Sequence, residues 1–193
     1  LQNLVETGCR PGLKPDQVGL FNGVDAAIHA VFQAYGDAGE TLLTTAPTFG
    51  YYSPCAGMQG MTIEAIPYEG ETFDFPLAAI QEALAARAPR LLLICNPNNP
   101  TGNLMAVSDI VRIAEAQRDQ AFVVVDEAYI EYTPSDTLLP LLADHPNLVI
   151  IRTLSKAFAL AAIRVGFIIA AEEVLAQINK LMPPYPIPDD SAR

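Results

Sequence analysis

With 193 residues and 51% hydrophobic content, the chain is long enough to bury one sizeable core, and its composition excludes the disordered classes. Eleven basic against 22 acidic residues leave a formal net charge of −11, which excludes a broadly basic face for nucleic acid or an anionic membrane, so that any phosphate must be caught locally. Cys9, Cys55 and Cys95 are odd in number, widely spaced and free of any CxxC, so neither a disulfide frame nor a zinc knuckle is expected, and a reducing cytoplasm is the expected setting.

In chain order, helical spacing at 25–37 is followed by strand-like runs at 41–45 and 61–66, and then by a helix at 76–87. The run 90–95 predicts a strand, 106–119 a helix, 121–126 and 147–153 strands, 165–170 a strand and 172–181 a helix. Several of the strands show no polar alternation, as expected of strands covered on both faces. The alternation of elements predicts an α/β domain with a largely parallel sheet. The run 165–170 follows 147–153 too closely for a helical crossover, so it is expected to be antiparallel within a mixed sheet. Proline-rich breaks stand at 96–101 and 183–188. There is no apolar run long enough to span a bilayer, no leader pattern and no internal repeat. The chain opens at "LQNLVETG" without Met and stops at "PPYPIPDDSAR", and further sequence is expected at both ends.

In an open α/β sheet, ligands bind outside the carboxyl ends of the strands. "NPNNPTG" follows 90–95, "DEAYIEY" overlaps the end of 121–126, and "TLSK" closes 147–153. Asn99, Asp126 and Lys156 are 27 and 30 positions apart, about one strand–helix–strand unit each, so one crevice can collect all three. Each has a plain structural alternative: a tight turn for "NPNNPTG", a cap or ion-pair acid for Asp126, a solvated turn lysine for Lys156, and caps for Thr153 and Ser155. One cofactor needs all of them together. Pyridoxal phosphate (PLP) requires a lysine amine, an acid to hold its ring nitrogen protonated, donors at its phenolic oxygen and a phosphate cup. An apolar flank, "AFALAAI", and the nearby Arg164 would both favour the neutral, nucleophilic form of the lysine.

"NPNNPTG", "DEAYIEY" and "RTLSKAFALAAIRVGF", in this order and spacing, resemble the PLP-dependent aminotransferases of fold type I, and among them most closely the histidinol-phosphate aminotransferases. The resemblance runs from "GLKPDQVGLFNGVDAAI" to the last residue. It implies a three-layer α/β/α PLP-binding large domain with a mostly parallel mixed sheet over residues 1–193, lacking an N-terminal segment and a C-terminal small domain. It implies that Lys156 joins the cofactor and then moves the substrate proton, and that Asp126 pairs with the pyridine nitrogen. Asn99 and Tyr129 match the contacts to the phenolic oxygen, while Thr153, Ser155 and Arg164 match the phosphate cup. Gly23, Val24 and Asp25 match a helix-opening turn that receives the same phosphate. Phe49 in "APTFGYY" matches the ring that stacks on the pyridine, with Tyr51 and Tyr52 as substitutes. A homodimer and a small-molecule pair, amino donor and 2-oxo acid, are implied as partners.

Two positions depart from the pattern, Ala26 after the Gly-x-Asp turn and Ala162 before the phosphate arginine. Aromatic aminotransferases and threonine-phosphate decarboxylases are neighbouring expectations, and a non-catalytic remnant of the domain is an alternative of another class. Nucleotide-binding α/β proteins are disfavoured, since neither GxxxxGK[ST] nor GxGxxG after a strand occurs. His29 and His145 are the only histidines, and no metal-ligand spacing joins them.

Overall fold

The computed structural model describes residues 13–182. Cys9 and the break at 183–188 lie outside the described residues. Seven strands run as β1 (Val18–Asn22), β2 (Thr41–Ala46), β3 (Thr62–Pro67), β4 (Leu91–Cys95), β5 (Phe122–Asp126), β6 (Leu148–Thr153) and β7 (Val165–Ala170). Five α-helices accompany them: α1 (Gly23–Tyr35), α2 (Tyr52–Met58), α3 (Leu77–Arg87), α4 (Val107–Ala116) and α5 (Glu172–Asn179). The strands form one sheet in the order β1-β7-β6-β5-β4-β2-β3. All neighbours from β3 to β6 pair in parallel, and β7 pairs antiparallel with both β6 and β1. The short link from β6 to β7 thus does what its length requires.

Side-chain period 2 splits the sheet into two cores. On one face Leu91, Leu93, Val124, Val149, Ile151 and Ile168 pack with α1, α2 and α5. On the other, Leu92, Ile94, Val123, Val125, Ile150 and Ile169 pack with α3 and α4. The result is three layers, α/β/α. Every residue of β4, "LLLIC", is buried, and each such Leu or Ile contributes about 1.5–3 kcal/mol of burial, so the sheet centre is a rigid base for whatever its edge carries.

Two elements go beyond the sequence expectation. β1 is a short edge strand containing Gly19, and α2, "YSPCAGM", holds both Pro and Gly. Local propensity does not favour α2 as a helix; burial of Tyr52, Cys55 and Ala56 against the sheet holds it. No helix among the described residues is long and apolar enough to cross a membrane.

Candidate active site

β4, β5 and β6 run in parallel; β4 and β5 end in register at Cys95 and Asp126, opposite Ile151, and β6 runs two residues further to Thr153. Their alternation places these three on the α1/α2 face, where each strand's preceding face residue, Leu93, Val124 and Ile151, is core. A cleft opens there, lined by Val24, Asp25, Phe49, Asn99, Tyr129 and Lys156, together with Cys95, Asp126, Ala128, Thr153, Ser155 and Arg164. Of the residues that the resemblance matches to the cofactor, only Gly23 is not on its wall, and neither are the substitute rings Tyr51 and Tyr52.

The turn 96–102 does two jobs. Asn96 Nδ2 donates to the Met105 carbonyl and its Oδ1 accepts from the Met105 amide. Buried Asn98 donates to the Pro47 carbonyl at 3.0 Å and accepts from the Thr48 hydroxyl at 2.8 Å, tying this turn to the loop that carries Phe49. Asn99 is left to face the cleft, where its Nδ2 donates to the Tyr129 hydroxyl at 3.3 Å.

Neighbouring acids in "DEAYIEY" face opposite ways, as the pleat dictates. Asp126 turns to the cleft: Oδ1 accepts from the Ala128 amide at 3.0 Å and Oδ2 from the Tyr52 hydroxyl at 2.8 Å. Burial pushes its carboxyl above the usual carboxylate value, against these donors and the Lys156 amine. Glu127 points to the other face, accepting from Thr137 Oγ1 at 2.6 Å and the Leu138 amide at 2.8 Å. Arg152 lies 3.6 Å from Glu127 and also pairs with Glu131. That guanidinium clips the segment bearing Tyr129 to β6.

The lysine turn differs from expectation. Leu160 N donates to the Leu154 carbonyl and Ala159 N to the Lys156 carbonyl, each at 3.0 Å, so the loop closes on itself and projects past the sheet. The apolar flank therefore does not enclose Lys156: the residue is exposed, with Phe158 and Leu160 exposed beside it at 43% and 42%. The Lys156 amine sits over the Tyr129 ring, 5.4 Å from its centroid. Arg164 is likewise not buried; its side chain is 46% exposed and 3.5 Å from Asp25 Oδ2. It adopts a left-handed backbone, φ 53, and its carbonyl accepts from the Gly23 amide at 2.9 Å. Gly23 thus lies behind this end of the cleft, while Val24 and Asp25, next in the first turn of α1, have no intrahelical acceptor for their amides. Thr153 lines the cleft, but its Oγ1 accepts from the Ser155 amide at 3.0 Å and lies 3.5 Å from the Val165 carbonyl, which shapes the turn.

Residues 7–193 match the family model of aminotransferases of class I and II. The chain belongs to that family.

The chain is 44% identical over 184 residues to the histidinol-phosphate aminotransferase of Aeromonas hydrophila, covering 94% of this chain and 51% of that protein. It spans about half the length of the curated relatives it matches. Its fold is similar to that of the histidinol-phosphate aminotransferase from Sinorhizobium meliloti in complex with pyridoxal-5'-phosphate, with a TM-score of 0.83 and 25% identity, covering 94% of this chain and 50% of that one. The L-threonine-O-3-phosphate decarboxylase of Porphyromonas gingivalis shares the fold, with a TM-score of 0.82 at 24% identity, covering 98% and 57%.

Three residues at or beneath the cleft are not assigned to it from sequence. Tyr52, in sequence only a substitute for the stacking ring, is buried beneath the cleft, edge-on to Phe49 at 5.5 Å and hydrogen-bonded to Asp126. Cys95 shares the parity of Leu91 and Leu93, which puts it on the Asp126 face and on the wall of the cleft. Gly166 carries no local signal, because what requires a glycine there is the backbone of Gly23 and Val24 packed against it.

Proposed function

We propose that the protein to which this chain belongs is a PLP-dependent transaminase that converts L-histidinol phosphate and 2-oxoglutarate to imidazole-acetol phosphate and L-glutamate, in histidine biosynthesis. The observation that carries it is the joint placement of the Lys156 amine and the buried Asp126 carboxylate on one cleft at the carboxyl edge of the sheet. The choice of substrate is supported by 44% identity to a relative of that name.

The residues fit the cofactor. A buried acid with two donors still has acceptor capacity toward the cleft, since a carboxylate offers about four lone-pair sites. When bound, PLP supplies an electron sink for charge developing at the substrate α-carbon. Lys156 provides the amine that attaches it and afterwards takes and returns the α-carbon proton. Asp126 holds a proton on the pyridine nitrogen. Asn99 and Tyr129 would hold its phenolic oxygen, and Phe49 would pack against it. Ser155, Arg164 and the first-turn amides of α1 receive the phosphate, with Thr153 shaping the turn around them.

A homodimer is part of this proposal, supported by the exposure of Phe158 and Leu160 and of Tyr132 at 66% beside the cleft. So is a cytoplasmic setting, which the free, buried Cys55 and Cys95 suit.

The full-length protein is expected to take up PLP and turn yellow, and Lys156→Ala to lack the near-visible band. A colourless protein that takes up no PLP sinks the proposal. Steady-state rates with histidinol phosphate, phenylalanine and threonine phosphate then decide the substrate, with histidinol phosphate expected to lead by at least tenfold in kcat/KM, about 1.4 kcal/mol.

A further inference from the structure

Tyr52 reaches Asp126 from another element, α2, 74 positions away in sequence. It is 1% exposed, so its hydroxyl has no bulk water to turn to, and an aromatic hydroxyl is buried this deeply only where it finds a partner. The other donor to the carboxylate, the Ala128 amide, belongs to the strand's own turn. Tyr52 is therefore the adjustable half of the support under Asp126.

The charged and titratable groups that face Asp126 are Tyr52 from α2, Cys95 from β4, Asp25 from α1 and Lys156 from the turn after β6. Burial pushes the Cys95 thiol up to about 12, so it stays neutral. Burial and the neighbouring Asp126 push the Tyr52 hydroxyl well above its ordinary value, so it stays a donor. Burial raises the proton affinity of Asp126 and Asp25 adds to this, while Tyr52, Ala128 and Lys156 oppose it.

We propose that Tyr52 is a positioning residue, whose hydroxyl fixes the Asp126 carboxylate in orientation and in charge so that it meets the ring nitrogen as an anion. The proposal rests on the PLP reading above. Tyr52 acts through Asp126 and is not on the wall of the cleft. The phenol ring fills the core against Phe49, and a phenylalanine keeps that packing while removing only the donor.

The test measures the PLP dissociation constant of the full-length protein across pH, by absorbance, for the wild type, for Tyr52→Phe and for protein carrying 3-fluorotyrosine at position 52. Loss of a hydrogen bond to a charged group moves a carboxyl by about one pH unit or more. The acid limb of PLP binding is therefore expected about one unit higher in Tyr52→Phe, with affinity roughly tenfold weaker on that limb and little changed well above it. Fluorination makes the phenol a stronger donor, and the limb is expected to move down. An affinity loss that is uniform across pH, or a limb that stays in place, assigns Tyr52 to packing alone and overturns the proposal. Should Tyr52→Phe fail to fold, the fluorotyrosine protein decides by itself: a limb that is unmoved or moves up overturns it. A wild type that takes up no PLP overturns the cofactor reading, whereas a yellow wild type with unmoved limbs overturns this proposal only.

Discussion

Gly23 and Gly166 meet backbone to backbone. A Cβ on Gly166 would stand 2.6 Å from the Gly23 carbonyl carbon and 2.6 Å from the Val24 nitrogen, closer than real Cβ contacts allow. A Cβ on Gly23, which sits at φ +76, would fall 2.9 Å from Arg164 Cζ. The pair brings the first turn of α1 down onto β7 and leaves space for the guanidinium, so the shape of this end of the cleft is a consequence of two absent side chains.

Gly166→Ala is expected to lift α1 from the sheet. Overpacking against backbone costs about 1–3 kcal/mol, visible as a lower urea midpoint, and the displaced amides of Val24 and Asp25 lower PLP affinity about tenfold. A variant with wild-type affinity and stability would show that the contact yields without moving the cup.

Tyr129→Phe is expected to leave the fold intact and to shift the bound cofactor's absorbance titration. The Tyr129 hydroxyl accepts from Asn99 Nδ2, which orients its own proton toward the cleft. A phenolate oxygen that loses this donor holds the neighbouring proton more tightly. The pH midpoint of the visible band should therefore rise, by about one unit for a hydrogen bond to a charged oxygen. An unchanged midpoint would remove Tyr129 from the phenolic-oxygen contacts.

The strands could be read from sequence because burial on both faces leaves runs such as "LLLIC" and "FVVV" that no amphipathic helix would carry. The carboxyl-edge residues Asn99, Asp126 and Lys156 followed from those runs plus the rule for open sheets. α2 was not legible, because its Pro and Gly argue against a helix and only the core it covers holds it. Exposure around Lys156 is not legible for a related reason: "AFALAAI" is apolar, but whether an apolar stretch is covered depends on what packs over a projecting turn, and composition carries no record of that. Gly166 and Tyr52 act on partners 143 and 74 positions away, beyond any local window.

Arg152→Met is expected to destabilise the fold in a pH-dependent way. Arg152 is 15% exposed and is shared by Glu127 and Glu131, and removing one partner of a buried pair costs about 3 kcal/mol. Burial holds the Glu127 carboxyl above its usual 4.5, opposed by Thr137, Leu138 and Arg152. An acid whose folded value is raised is protonated more readily in the fold than in the unfolded chain, so its contribution declines as pH rises from 4.5 through the folded value. Without Arg152 that window widens upward, and the deficit in urea midpoint should be larger at pH 8 than at pH 5. Equal deficits at both would mean that the guanidinium acts by packing rather than charge.

Asp126→Asn should make the cofactor-free protein more stable while making it a poor holder of PLP. Burial is the main cause of the raised Asp126 carboxyl, so the sign is that of Glu127: the aspartate's contribution is retained near its ordinary 3.8 and lost as pH rises through the folded value. An asparagine needs no ionisation and can still accept from the Ala128 amide through Oδ1 and donate to the Tyr52 oxygen through Nδ2. Wild type and variant should thus melt alike near pH 4. By pH 8 the variant should lead by about 1.4 kcal/mol for each unit by which the folded value exceeds the ordinary one. Saturating PLP should invert the order, because binding stabilises only the protein that holds it, by about 2.7 kcal/mol at a hundredfold excess over Kd. Thermal melts at the two pH values, with and without PLP, give all four numbers. An asparagine variant that is no more stable than wild type at pH 8 without PLP would show that the charge at the floor of the cleft is not held against the fold's own preference.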